Sequence, residues 1–361
     1  MPRALWVTAI ALLGSAATAC GKANLPEALV VSVASPVVVT DGAVVRVTRA
    51  PARNVLGAPG AFAIVDEASG RLVLTDEVTD EMLVTPPFDT SSSGPGPHVL
   101  EAKVNLAELG PEMNLGGRDF GLYRGAEKKC VVRATALRAV GFIHGDNDLD
   151  GDGQPDTPSS AEEEARNMWS KANRYLALKV TLGSKCKGAT WARLEELPEP
   201  RFATLHEPVA ARVDQAVAAF QSRPRWIEAQ KSYIDTNSAE ASTKNGNWED
   251  MATVTTSELV APFADGSFLF RQAVWEDGCG TNAGLAMVWR DVDGALSQVY
   301  EADDRFSIEV VMDLDGDGTL EMFGSEGDGA SLRPFWGTET EAGPRQGAIL
   351  THAYAYHGCG C

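Results

Sequence analysis

Two short acidic stretches carry the most specific chemistry in the chain: Asp148-Leu149-Asp150-Gly151-Asp152-Gly153-Gln154-Pro155-Asp156 and Asp313-Leu314-Asp315-Gly316-Asp317-Gly318-Thr319-Leu320-Glu321. Both follow the pattern D-x-D-G-D-G-x-x-[DE]. Carboxylates at alternate positions repel one another unless a cation gathers them, and the glycines let the backbone curl so that they converge. Ca2+ suits such a site, because it accepts six to eight oxygen ligands at flexible geometry. An EF-hand is excluded by register. It requires a Glu at loop position 12, where the first stretch has Ser159 and the second has Gly324. The acid at position nine, Asp156 or Glu321, is therefore expected to close the site.

The motif resembles the calcium loops of integrin-type FG-GAP repeats and thrombospondin type 3 repeats. That resemblance implies side-chain ligands at positions one, three, five and nine, and a backbone carbonyl at position seven. It thus implies Asp148, Asp150, Asp152 and Asp156 with the Gln154 carbonyl in one loop. In the other it implies Asp313, Asp315, Asp317 and Glu321 with the Thr319 carbonyl. It extends over the loops alone and implies a metal, not a propeller. Extracellular modules bind calcium at ~10⁻⁴ to 10⁻³ M and sit near saturation outside the cell. The expected role is structural: the first loop pins the boundary between a β-rich and a helical part, and the second braces the final sheet.

Other chemistry-bearing residues give weaker signals. His352, His357, Cys359 and Cys361 crowd the C-terminus and form a zinc- or copper-type donor set, in competition with disulfides. Trp191, Trp226, Trp248, Trp275, Trp289 and Trp336 are either core residues or the lining of a carbohydrate or peptide groove; Trp169 and Trp275 fall within apolar periodicity and are expected to pack. Ser184 and Lys187 have the spacing of penicillin-recognising enzymes without their partner motifs, and no Gly-x-Ser-x-Gly elbow or phosphate-binding loop is present. No catalytic residue is assigned.

The N-terminus supplies the address. Arg3, the apolar run Ala4 to Leu13 and the small-residue tail Gly14 to Ala19 have the three-part layout of a signal peptide. An uncleaved membrane helix needs about 20 apolar residues, and this stretch is shorter. Ala17-Thr18-Ala19 followed by Cys20 resembles the lipobox of bacterial lipoproteins, with Ala17 where that family has a leucine. The resemblance implies a diacylglycerol on the Cys20 thiol, a further acyl chain on its amine, and stable anchoring by two or more chains. The membrane is then a partner through lipid, at the outer membrane or cell surface.

Composition is consistent with that address. A formal net charge of −19 argues against nucleic acid and against adhesion to anionic head groups. At 44% hydrophobic and 22% charged, the chain has the makings of a packed core rather than of a disordered tail. Export puts Cys130, Cys186, Cys279, Cys359 and Cys361 in an oxidising compartment, where disulfides are the default. We pair Cys130 with Cys186, and Cys279 with Cys359 or Cys361. One thiol is then left over, whereas all six cysteines can pair if Cys20 is unmodified.

The elements that must position these residues read as strands, then helices, then strands. Val-rich runs around Asp41-Gly42, and residues 62–74 around Ser69-Gly70, predict hairpins. Residues 101–109 have a helical cast. Ser160 with Glu163 forms a capping-box start, and Ala165, Trp169, Ala172 and Leu176 recur at helical spacing. A second helix begins near Pro208 with Val209, Val213, Val217 and Phe220 on one face, and Arg223-Pro224 breaks it. Strands return at 267–275, 285–292, 296–300, 306–312 and 349–356, with a turn at Asp293-Gly294.

The expected fold is α+β and β-rich, with an N-terminal β-sandwich-like part of immunoglobulin type, a central helical segment and a C-terminal antiparallel sheet. The expected divisions are a signal peptide 1–19, a β-rich domain 20–145, a calcium loop and helical segment 146–247, and a β domain 248–361. The expected function is a lipid-anchored cell-envelope binding or assembly module with structural calcium, whose partner is an envelope protein or carbohydrate. The alternative is an exported hydrolase whose site is assembled from tertiary neighbours.

Overall fold

The computed structural model describes residues 38–40, 43–45, 60–75, 78–91, 96–145, 160–236, 247–262, 267–277, 280–292, 294–302, 306–314, 320–326, 329–335 and 350–357. Contacts divide the chain into two compact units, residues 1–52 and 53–361. In the first unit, β1 (Val38–Thr40) and β2 (Ala43–Val45) pair antiparallel, with Thr40 opposite Ala43. That is the register of a hairpin connected at Asp41-Gly42.

The second unit begins with a hairpin of β3 (Ala63–Asp66) and β4 (Arg71–Thr75). Its turn ends on Gly70 at φ 65°, where a side chain would be strained. There follow β5 (Phe88–Asp89), β6 (Gly96–Ala102), the single turn α1 (Leu106–Leu109), β7 (Asp119–Arg124), β8 (Glu127–Arg133) and β9 (Ala136–Gly145). After α2 (Ala161–Lys171) come β10 (Asn173–Lys179) and β11 (Trp191–Leu194). These strands line up as β5-β6-β9-β10-β4-β3-β11-β7-β8 in one large sheet.

Period-2 alternation gives this first sheet two apolar faces. Along β9, Leu137, Ala139 and Ile143 enter one core, and Val140 and Phe142 enter another. α2 covers the first face with Ala165, Met168 and Trp169. Its start is as expected, with Ser160 Oγ accepting the Glu163 N–H at 3.2 Å. Gly141 lets the helix close down: a Cβ there would sit 2.9 Å from Trp169 Cε3.

Two helical expectations shorten. α2 stops at Lys171, and Leu176 lies in β10, because Tyr175, Leu176, Ala177 and Leu178 alternate between the two cores while pairing with β9 and β4. Helix in 101–109 is confined to 106–109, because Glu101 lies on β6, where it takes Arg71 at 2.5 Å and Arg138 at 2.9 Å.

The chain continues through β12 (Arg201–Phe202), β13 (Thr204–His206), α3 (Ala210–Gln221) and α4 (Pro224–Thr236). Pro224 opens α4 at a position where a missing N–H costs nothing. On α3, Ala216 and Phe220 are buried, but Val209 is 59% exposed and only precedes the helix. The last strands are β14 (Thr253–Val260), β15 (Ser267–Asp277), β16 (Gly280–Val292), β17 (Ala295–Ala302), β18 (Ser307–Asp313), β19 (Leu320–Glu326), β20 (Gly329–Phe335), β21 (Leu350–His352) and β22 (Ala355–His357). Where the β16–β17 hairpin turns, Gly294 has φ 86° and donates its N–H to Asp291 Oδ1 at 2.8 Å.

They form a middle sheet, β12-β18-β19-β20-β21, and an end sheet, β13-β14-β15-β16-β17. Val310, Met312, Phe323 and Leu332 of the middle sheet pack on Phe62, Trp191 and Phe142 of the first. Val311, Leu320 and Met322 pack on Phe268, Phe270 and Val288 of the end sheet. The end sheet's other face, with Trp275 and Met287, receives Phe220 of α3 and Tyr233 of α4. The fold is thus strand-rich α+β, built in layers. The sandwich partner of the first sheet comes from the C-terminal third of the chain, and β22 adds to β9 in parallel, His357 opposite Gly145. The helical region is divided by four strands, β10 to β13.

Candidate functional site

The second acidic motif sits at the hairpin between β18 and β19 in the middle sheet. Val310-Val311-Met312 is an apolar run covered on both sides, and it delivers Asp313 into the interior. Asp313 and Glu321 are both 0% exposed. Carboxylates so far from water must be compensated. Asp313 lies opposite Arg201 of β12 and pairs with its guanidinium. Glu321 reaches across the mouth of the loop and accepts the Leu314 N–H at 3.0 Å.

The structure therefore places the first and last acids of this motif at the two ends of one hairpin. Asp315, Asp317 and Thr319 lie outside the described residues, as do Asp148, Asp150, Asp152, Gln154 and Asp156 of the first motif. Among the described residues no group of three or more metal-ligating side chains comes together.

Of the C-terminal donor set, His352 is drawn into the fold. His352 Nε2 lies 3.2 Å from Asp66 Oδ2, the Tyr354 hydroxyl donates to the same oxygen at 3.1 Å, and the Ser69 N–H donates to Oδ1 at 3.1 Å. The His352 ring packs against Phe142 at 4.6 Å and Tyr175 at 5.3 Å. This cluster fastens the end of β21 to the β3–β4 turn. Burial pushes the Asp66 carboxyl up, but the His352, Ser69 and Tyr354 hydrogen bonds outweigh it and hold the group below its ordinary value. Burial beside Asp66 drives the Tyr354 hydroxyl well above its own.

Cys130 of β8 and Cys186 form a disulfide with Cα atoms 5.2 Å apart, the pair chosen from the sequence. Cys20, Cys279, Cys359 and Cys361 lie outside the described residues. Among the described residues, Trp169, Trp191, Trp248, Trp275 and Trp289 fill cores. Trp191, Trp248 and Trp289 are at most 2% exposed. Trp191 stacks on Tyr123 at 4.3 Å and donates to the Gly125 carbonyl at 2.9 Å. Trp226 donates to Glu249 at 2.6 Å. Trp336 is outside the described residues.

A site that spacing did not reveal is a cleft of about 840 Å³ between the edge strand β5 and the first half of α2. Pro86, Pro87, Phe88 and Met168 give it apolar walls, and Asp89, Ser91, Lys103 and Glu164 give it polar ones. Asp89 organises the rim: its Oδ2 lies 2.8 Å from His98 Nδ1, and its Oδ1 accepts the Ser91 hydroxyl at 2.6 Å. Because Ser91 donates to the carboxylate and not to the imidazole, this trio lacks the nucleophile, base and acid order of a hydrolytic triad.

No family model matches the chain, and no curated protein and no solved structure is similar enough to match it. The sites stand on their own geometry. Nothing in the spacing of the sequence ties residues 85–91 to residues 161–168.

Proposed function

We propose that the chain is an exported, lipid-anchored envelope protein, tethered through Cys20, whose two acidic loops hold structural calcium and whose layered β-rich body serves as a binding or assembly module. The repeated D-x-D-G-D-G-x-x-[DE] motif carries the metal part of this reading. The hairpin position of Asp313 and Glu321 supports it, since a cation bound between β18 and β19 would stiffen a turn that closes the middle layer. Arg201 pairs with Asp313, so a calcium ion bound there would share that carboxylate with the guanidinium or take it over. The signal layout before Cys20 carries the anchoring part, and no helix among the described residues is long and apolar enough to cross a membrane.

Chelation is expected to lower the melting temperature, with Asp150→Ala and Asp315→Ala each removing part of that sensitivity. A melting curve indifferent to chelator would sink the calcium reading. Intact mass of the protein from its native host, with and without chelator, reports acylation of Cys20, disulfide count and bound metal together.

A further inference from the structure

We infer that the cleft between β5 and α2 is a docking site for a short apolar peptide with free termini. Its volume of about 840 Å³ lies within the range of about 300 to 1,000 Å³ that ligand-sized sites occupy. Phe88, 49% exposed, offers its ring from one wall; Pro86 and Pro87 extend that wall, and Met168 lies on the helix side. Apolar surface left open in a concavity is surface that a ligand can remove from water.

The charges select the ligand. Lys103 and Glu164 both line the cleft, and neither side chain has a hydrogen-bond or ion-pair partner among the described residues. The other carboxylates are engaged: Asp89 by His98 and Ser91, and Glu162 by Arg166 at 2.7 Å. A ligand with separated opposite charges satisfies both, its ammonium at Glu164 and its carboxylate at Lys103. The start of α2 carries roughly half a positive charge, but Glu162, Glu163 and Glu164 all fall in its first turn and outweigh it.

The backbone supplies a third element. Among the described residues β5 ends the sheet and pairs with β6 alone. One of its two residues therefore turns its N–H and C=O away from β6, where an extended chain can pair with them. None of the cleft-lining residues belongs to an acidic motif, so this inference does not rest on the calcium reading.

Calorimetric titration of the full chain with trileucine tests it, alongside N-acetyl-trileucine amide, in which both terminal charges are removed. Trileucine is expected to bind saturably. Glu164→Gln, Lys103→Gln and Phe88→Ala should each weaken it about tenfold, the equivalent of ~1.4 kcal/mol, with melting temperatures unchanged. The blocked peptide should bind about a hundredfold more weakly, because it loses both charge contacts. Three results overturn the proposal: no saturable trileucine heat at millimolar concentration, binding that survives all three substitutions, or equal affinity for the blocked peptide.

Discussion

In the middle sheet, Val310, Met312 and Phe323 face one core while Val311, Leu320 and Met322 face another, so a polar side chain there has no water to turn to. At the rim between β5 and α2, Phe88 and Lys103 are open to solvent. Polar groups in the two places behave accordingly. Asp313 meets Arg201, Glu321 meets the Leu314 N–H, and Glu309 takes the Gly125 N–H at 2.6 Å. At the rim, Lys103 and Glu164 remain without partners among the described residues. Burial on both faces makes charge a brace, and exposure in a concavity leaves it available to a ligand.

The largest test of that contrast truncates one phenylalanine in each place. Phe323 is 1% exposed and lies 5.4 Å from Phe62 across the layer boundary, so Phe323→Ala should cost about 4 kcal/mol in urea unfolding. Phe88→Ala at the rim should cost less than about 1 kcal/mol. Equal costs would break the distinction between sealed layer and open rim.

Next in size is Glu101→Ala, which strands the buried Arg71 and the partly exposed Arg138 and should cost about 3 kcal/mol at neutral pH. A loss comparable to that of an exposed ion pair would show that the inner faces of the first sheet are wetter than they look.

Arg193 sharpens the comparison from the other side. It is 3% exposed, its Nε and Nη1 have no acceptor, and burial pushes its pKa down. Glu195 and Glu199 lie near enough to favour its charge, but the cost of burial outweighs them. Arg193→Met is therefore expected to raise stability by about 1–2 kcal/mol, and a destabilised variant would mean that the guanidinium holds the fold together.

The smallest effect belongs to acid. Because the Asp66 carboxyl is held below its ordinary value of 3.8, its contribution is fully present above that pH and is lost as pH falls through the lower, folded value. Asp66→Asn should flatten stability against pH in that acid window alone. A flattening nearer neutrality would point to another group.

The features legible in advance are those decided by a few adjacent residues. Asp41-Gly42, Ser69-Gly70 and Asp293-Gly294 mark hairpins because only small or turn-forming residues tolerate those connections, and Ser160 with Glu163 marks a helix start through one side-chain hydrogen bond. Arg223-Pro224 separates α3 from α4 for the same local reason. The end of α2 was not legible. Ala172 and Leu176 keep helical spacing, yet residues 173–179 gain more by filling the gap between β9 and β4. The cleft was beyond reach, since its walls lie some seventy residues apart in the chain and no periodicity links them.

By itself, then, the sequence determined the turns, the helix starts and the strand-rich α+β character, and it holds the signal-like N-terminus and the repeated acidic motif on which the proposals of anchoring and calcium rest. Tertiary structure alone decided that β18 to β21 form the layer against the first sheet, that Cys130 meets Cys186, that His352 is tied to Asp66, and that Asp313 is paired with Arg201. The reason is range. Turn and cap energies depend on neighbours in the chain, whereas the burial of an apolar face depends on which distant face meets it, and only the assembled layers settle which carboxylates lose their water.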